Sequence, residues 1–285
     1  MFRPLLGAAA LTALVAAEAS AAYCPRTLHR ATRLIIVTVP DMNSVKGTVH
    51  LFERKSPAEG VWQRDGQPEP AVVGTAGVGW SAAYDHLAKK GEPIKKEGDN
   101  RTPAGIFRLS SPFGQKARPL TGFMKIAAGR AHCVADPNSL YYGQIVSAQL
   151  AKRVKTSEDM SKAPGLKQGI LVDYPVRRGK APGGSCIFLH VWEKDDVGTP
   201  GRIALPEERI TALQEWSSKG FTAVAVVTED SVSRFKGCLP LNTAISRADT
   251  PANMPAPHPR RNGKEQRADL APQPEPKPQL VSQPQ

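Results

Sequence analysis

The sequence predicts a mainly β domain with few helices. Short apolar runs rich in Val, Ile and Thr recur along the chain, Gly and Pro clusters punctuate them, and one stretch alone carries a helical period.

The runs are Leu34 to Val39, Thr48 to Phe52, Ala71 to Val73, Gly105 to Leu109, Ile170 to Tyr174, Cys186 to Trp192 and Thr222 to Thr228. β-branched and aromatic side chains fit a pleated, half-buried surface, so each run reads as a strand. The helix opens at Pro206 as a first-turn proline, carries Ile210, Leu213 and Trp216 on one face, and is followed by Gly220. Together these elements place one domain at roughly residues 30–245. There is no internal repeat. The chain also lacks a Walker loop, a Rossmann glycine pattern and His/Cys metal-ligand spacing, so neither cofactor nor metal is expected.

Outside that domain the composition changes. Arg3 precedes an apolar run from Leu5 to Ala17, about the length of a signal-peptide core and short for a membrane span. Small residues at Ala19, Ser20, Ala21 and Ala22 supply a cleavage site, so residues 1–22 read as an export signal and the mature chain as a protein of the periplasm or cell envelope with no transmembrane segment. Residues 246–285 read as a disordered basic tail rich in Pro and Gln, with little to bury. The formal charge of +12 favours anionic surroundings such as wall polymers, and export argues against nucleic acid as the partner. Nothing in the sequence sets an oligomeric state. Cys24, Cys133, Cys186 and Cys238 would meet an oxidising compartment, where three pairings into two disulfides are open.

The chemistry-bearing stretch is Gly184-Ser185-Cys186-Ile187-Phe188-Leu189-His190, then Thr199-Pro200-Gly201-Arg202, then Ala204-Leu205-Pro206-Glu207-Glu208. A strand ending in histidine, a loop and a tight glycine turn running into a helix is a place where a nucleophile faces a base across a cleft. These residues resemble the L,D-transpeptidases with a YkuD-type catalytic domain, in the branch whose motifs read G-S-x-I-F-L-H, T-A-G-C and A-L followed by acidic residues. The step of twelve positions from histidine to cysteine is kept between His190 and Arg202. Glu97-Gly98-Asp99-Asn100-Arg101-Thr102-Pro103-Ala104-Gly105-Ile106-Phe107, Val134-Ala135-Asp136-Pro137-Asn138-Ser139-Leu140-Tyr141-Tyr142 and Val172-Asp173-Tyr174 are similar to further family segments, so the likeness runs from about Val72 to about Val227.

The resemblance implies a β-sandwich-like catalytic domain and a two-step acyl transfer between peptidoglycan stem peptides. A cysteine thiolate would attack the stem peptide, expel D-alanine and pass the acyl group to a neighbouring amine. His190 would accept the thiol proton, Thr199 would support the turn by hydrogen bonding, and backbone N–H groups around Gly201 and residue 202 would hold the oxyanion. Arg202 stands where the family has its cysteine, and a guanidinium has no lone pair with which to attack. Cys186, four residues before His190 on the same expected strand, would lie about 13 Å away along it. Cys133 is the remaining candidate for a relocated thiol. Three readings follow: an impaired relative that still binds stem peptides, an active transpeptidase using another residue, and a scaffold whose proline-rich tail recruits partners.

N-terminal sequencing of the exported protein is expected to start at Ala22 or Tyr23; an exported chain starting at Met1 would refute the signal.

Overall fold

The computed structural model describes residues 24–163, 165–176 and 183–241. The export signal (1–22) and the basic tail (246–285) expected from the sequence lie outside the described residues. Fourteen strands dominate the described residues. They are β1 (Arg33–Val39), β2 (Lys46–Glu53), β3 (Gln63–Arg64), β4 (Glu69–Val72), β5 (Val78–Trp80), β6 (Thr102–Gly114) and β7 (Met124–Lys125). After them come β8 (Ala131–Val134), β9 (Ile145–Ser147), β10 (Ser157–Asp159), β11 (Gln168–Asp173), β12 (Phe188–Val191), β13 (Ile203–Leu205) and β14 (Thr222–Thr228). The helices are α1 (Arg26–Arg30), α2 (Ala148–Ala151) and α3 (Glu207–Ser218), with 3₁₀ turns at Asp85–Leu87 and Glu229–Phe235. No helix among the described residues is long and apolar enough to cross a membrane.

The ladder runs β1-β14-β6-β11-β12-β13-β4-β2, and β2 pairs back onto β1, so eight strands close into a ring. Closure leaves no open edge among them, which removes the usual hazard of unpaired strand N–H and C=O groups. The mainly β architecture therefore stands, with the walls of the sandwich-like core joined edge to edge. Within the ring two pairings are parallel, β1 with β14 and β12 with β13. Parallel strands covered on both faces read as continuous apolar runs rather than alternating ones. That accounts for Leu34-Ile35-Ile36-Val37-Thr38-Val39 and Thr222-Ala223-Val224-Ala225-Val226-Val227-Thr228, both buried throughout. A separate small sheet, β10-β8-β9, packs through Cys133 against Phe113, Cys186 and Phe188 in a second apolar cluster.

Several sequence expectations are corrected. β6 extends well past Gly105 to Leu109, because its register continues against β14, β11 and β7. The run Cys186 to Trp192 yields a strand only from Phe188 to Val191, since Cys186 has φ 57° and stands in a left-handed turn before it. Cys186 and His190 are thus not on one strand. Pro206 is the N-cap of α3 rather than a first-turn residue, and Glu207 and Glu208 fill the first turn, where the helix dipole favours negative charge.

The pairing of cysteines is settled as Cys24–Cys238 and Cys133–Cys186. Both are long-range ties, spanning 214 and 53 residues. The first joins the α1 end of the domain to the segment after the last 3₁₀ turn.

On α3 the buried stripe is Ile210, Leu213, Gln214 and Ser217, while Trp216 is half-buried and donates Nε1 to Asp65 Oδ2 at 2.6 Å. Gln214 is fully buried and hydrogen-bonded throughout. Its Nε2 donates to Phe113 O and Gly169 O, both at 2.8 Å, and its Oε1 accepts from Arg118 Nη1 at 2.7 Å. Phe113 and Gly169 face each other across the β6–β11 ladder, so one amide clips the helix to two strands. Gln214→Leu keeps the volume but strands two buried carbonyls, and about 2 to 4 kcal/mol of stability should be lost. Urea denaturation followed by tryptophan fluorescence measures it.

Candidate functional site

β12 carries His190 between β11 and β13, opposite Gly169 on one side and Ala204 on the other. His190 is 4% exposed. Nδ1 lies 2.9 Å from Val191 O, and a carbonyl can only accept, so Nδ1 carries the proton. In the neutral ring Nε2 is then a bare acceptor; it is buried and without a hydrogen-bond partner. Gly165, at φ 74°, covers the ring so closely that a Cβ there would lie 2.1 Å from Val191 O and 2.5 Å from His190 Nδ1. Only glycine fits both the conformation and the space.

The turn before β13 is held from several sides. Thr199 N–H donates to Val73 O and Thr199 O accepts from Thr75 N–H, each at 2.8 Å, which docks the turn onto the segment after β4. Thr199 Oγ1 both accepts from Arg202 N–H and donates to Arg202 O, at 2.7 Å each. Thr102 Oγ1 adds a donor to Arg202 O at 2.8 Å while accepting from Gly74 N–H at 2.9 Å. Gly201 has φ 90°, and a Cβ there would sit 2.8 Å from Arg101 O. Thr199 Oγ1 thus bonds both the N–H and the carbonyl of Arg202, and the Arg202 N–H is committed to Thr199.

Arg202 is 6% exposed. Its Nε donates to Cys186 O at 3.1 Å, its Nη2 pairs with the Glu158 carboxylate, and its Cζ stands 5.1 Å from the centre of the Phe188 ring. Glu158 is the residue that the sequence reading missed. It lies on β10 in the small sheet, 44 positions from Arg202, inside a short polar segment that carries no motif. His190, Thr199, Arg202 and Glu158 line one cavity of about 390 Å³, with Thr75, Asn100 and Trp192 also on its wall. Gly201 is part of the same turn and is buried.

The segments 97–107 and 134–142 act as struts. Asp99 accepts from Arg101 N–H at 2.9 Å and Lys96 N–H at 2.7 Å, which shapes the turn that delivers Thr102 to Arg202. Tyr142 donates to the Glu97 carboxylate, joining the two segments; burial and Glu97 together raise its hydroxyl pKa.

A relocated thiol is excluded. Cys133 and Cys186 are bonded to each other, Cys24 and Cys238 likewise, and no free cysteine remains. Burial, followed by the nearby Arg202 charge, pushes His190 down to about 3. An unfolded histidine titrates near 6.5, so between pH 6.5 and 3 the unfolded chain binds the extra proton and stability falls as pH falls. This one group should remove up to about 1.4 kcal/mol per pH unit below pH 6.5. Denaturant titrations at pH 7.5, 6.5, 5.5 and 4.5 should show a steeper acid loss in the parent than in His190→Gln. Equal slopes would mean that the imidazole is not buried neutral.

No known family model matches the chain, and no curated protein does. Among solved structures, the helical cell shape determining protein Pgp2 from Campylobacter jejuni is 13% identical, with a TM-score of 0.33, covering 69% of this chain and 48% of that one. The K307A mutant of the same protein is 14% identical with the same TM-score, covering 71% and 56%. The chain spans about half the length of these structures, and a likeness at this level assigns neither family nor function.

Proposed function

We propose that this protein is an L,D-transpeptidase-like component of the cell envelope whose cleft holds peptidoglycan stem peptides without transferring them. One observation carries the reading: a salt-bridged arginine occupies the position where the resembling enzymes have their thiol, and every cysteine of the chain is bridged. Covalent acyl transfer needs a group that can attack, and a guanidinium has no lone pair for it. What remains is a cavity of a size that admits a short peptide segment, its wall largely apolar at Val191, Trp192, Val197 and Pro200 and carrying polar groups of Arg202, His190, Asn100, Thr75 and Glu158. The two disulfides fit an oxidising compartment, as the export signal expects. The motif likeness supports the stem peptide as ligand, and the net charge of +12 suits an anionic wall.

The full chain incubated with disaccharide-tetrapeptide should bind it by isothermal titration yet release no D-alanine and form no cross-linked dimer by mass spectrometry. Arg202→Cys should gain a covalent adduct with a carbapenem that the parent never shows. Adding His190→Ala should slow that adduct, though by less than loss of a solvent-exposed imidazole would, because burial keeps the ring a weak base. Release of D-alanine by the parent would overturn the reading, because it would require a nucleophile other than a thiol. An inert but folded Arg202→Cys chain that also fails to bind tetrapeptide would favour a pure scaffold.

A further inference from the structure

The ionisable side chains on the wall of the cavity that His190 lines are Glu158, His190, Glu193 and Arg202. The imidazole, held down to about 3, is neutral near physiological pH. The wall therefore offers one cation and two carboxylates. Glu193 follows β12 directly, just past the point where Trp192 N–H donates to Leu205 O, and it is exposed.

The partners of Arg202 do not use up its guanidinium. Nε donates to Cys186 O and Nη2 to Glu158 Oε2, whereas Nη1 has no hydrogen-bond partner among the described residues. Nor is Nη1 sealed in: the buried side-chain atoms left without a partner include Nε2 of His190 and none of Arg202. In a residue only 6% exposed, the unpaired edge of the guanidinium is thus the part that meets the cavity. Glu158 is engaged through Oε2 alone, which leaves Oε1 as a second unused group on a side chain about a third exposed.

These charges sort ligands by sign. A carboxylate gains charge-assisted hydrogen bonds from Nη1, but a ligand that is anionic overall also meets two glutamates on the same wall. A ligand that is only cationic meets Arg202. A group carrying a carboxylate and an ammonium side by side satisfies both kinds of wall charge at once.

We propose that this cavity recognises a zwitterionic amino-acid head, its carboxylate on Arg202 Nη1 and its ammonium on the Glu158 and Glu193 carboxylates. The inference rests on the stem-peptide reading for its natural ligand and narrows it: the cavity takes the part of the stem where a free amine and a carboxylate lie together.

Isothermal titration of the full chain with D-alanine, N-acetyl-D-alanine and D-alaninamide reads the two contacts separately. D-Alanine should bind, and removal of either charge should weaken it about tenfold or more, the size of one charge-assisted hydrogen bond. Glycerol 3-phosphate, an anion without an amine, should not compete. Disaccharide-tetrapeptide should lose affinity in the same way when its amine is acetylated. Glu193→Gln, at an exposed position, should narrow the gap between D-alanine and N-acetyl-D-alanine. Arg202→Met keeps a long side chain but has no donor, and with a circular dichroism spectrum equal to the parent's it should erase the gap between D-alanine and D-alaninamide; the probe series on the parent decides in any case. Equal affinity of the parent for the three alanine probes, or binding of none, would overturn the zwitterion site, and tetrapeptide binding that survives acetylation would then leave the stem-peptide reading standing. D-Alanine bound with both dependences while tetrapeptide is not bound would overturn the stem-peptide reading and keep this one.

Discussion

A guanidinium cannot shed its charge inside a protein, so burying one at position 202 is possible only where acceptors wait in fixed places. The Cys186 carbonyl, the Glu158 carboxylate and the face of Phe188 are those places. Each comes from a different part of the chain, and the strand pairings and the Cys133–Cys186 bridge bring them together. Remove the small sheet and Arg202 loses its counter-charge; remove the sharp turn at Cys186 and it loses its carbonyl. The salt bridge is not evidence of great stability, because Glu158 is about a third exposed and water screens the pair. Its consequence is positional: a cation stands beside His190.

The ring of strands positions everything else about the site. β12 and β13 run parallel, so the chain must leave one, cross over and re-enter the other in the same direction. The connection between them is the loop that ends in Thr199, Pro200, Gly201 and Arg202. Thr199 and Thr102 pin its last residue by the backbone, which leaves the identity of the side chain at 202 free to vary without unmaking the turn. The backbone of the turn therefore does not depend on which side chain stands at 202.

Much of this was legible in the sequence. The apolar β-branched runs declared the central strands, and the twelve-residue step put His190 and Arg202 on the wall of one cavity. What the sequence could not show were partners chosen by long-range folding. Glu158 sits in Ser157-Glu158-Asp159, whose polar composition reads as loop and whose strand exists only by pairing with β8. Thr102 reaches Arg202 across 100 positions. Cys133 and Cys186 were a pair among three possible pairings, and no spacing rule favours one. Gln214 interrupts the helix's apolar stripe, and its reason appears only when the two strand carbonyls beneath it are seen.

Arg202 also bears on the second partner of the expected chemistry. A thiol is made nucleophilic by a base that can hold its proton near neutral pH, and an imidazole depressed to about 3 holds a proton poorly there. Burial is the larger cause of that depression and the guanidinium the smaller. A cysteine placed at 202 would therefore lift only the smaller of the two, while Gly165 and the surrounding strands would keep the ring out of water. Recovering full basicity demands that solvent or a polar ligand group reach Nε2, the atom the folded chain leaves without a partner. The cation in this cleft and the low basicity of its imidazole thus have largely separate origins, one in the side chain at residue 202 and the other in the packing around residue 190.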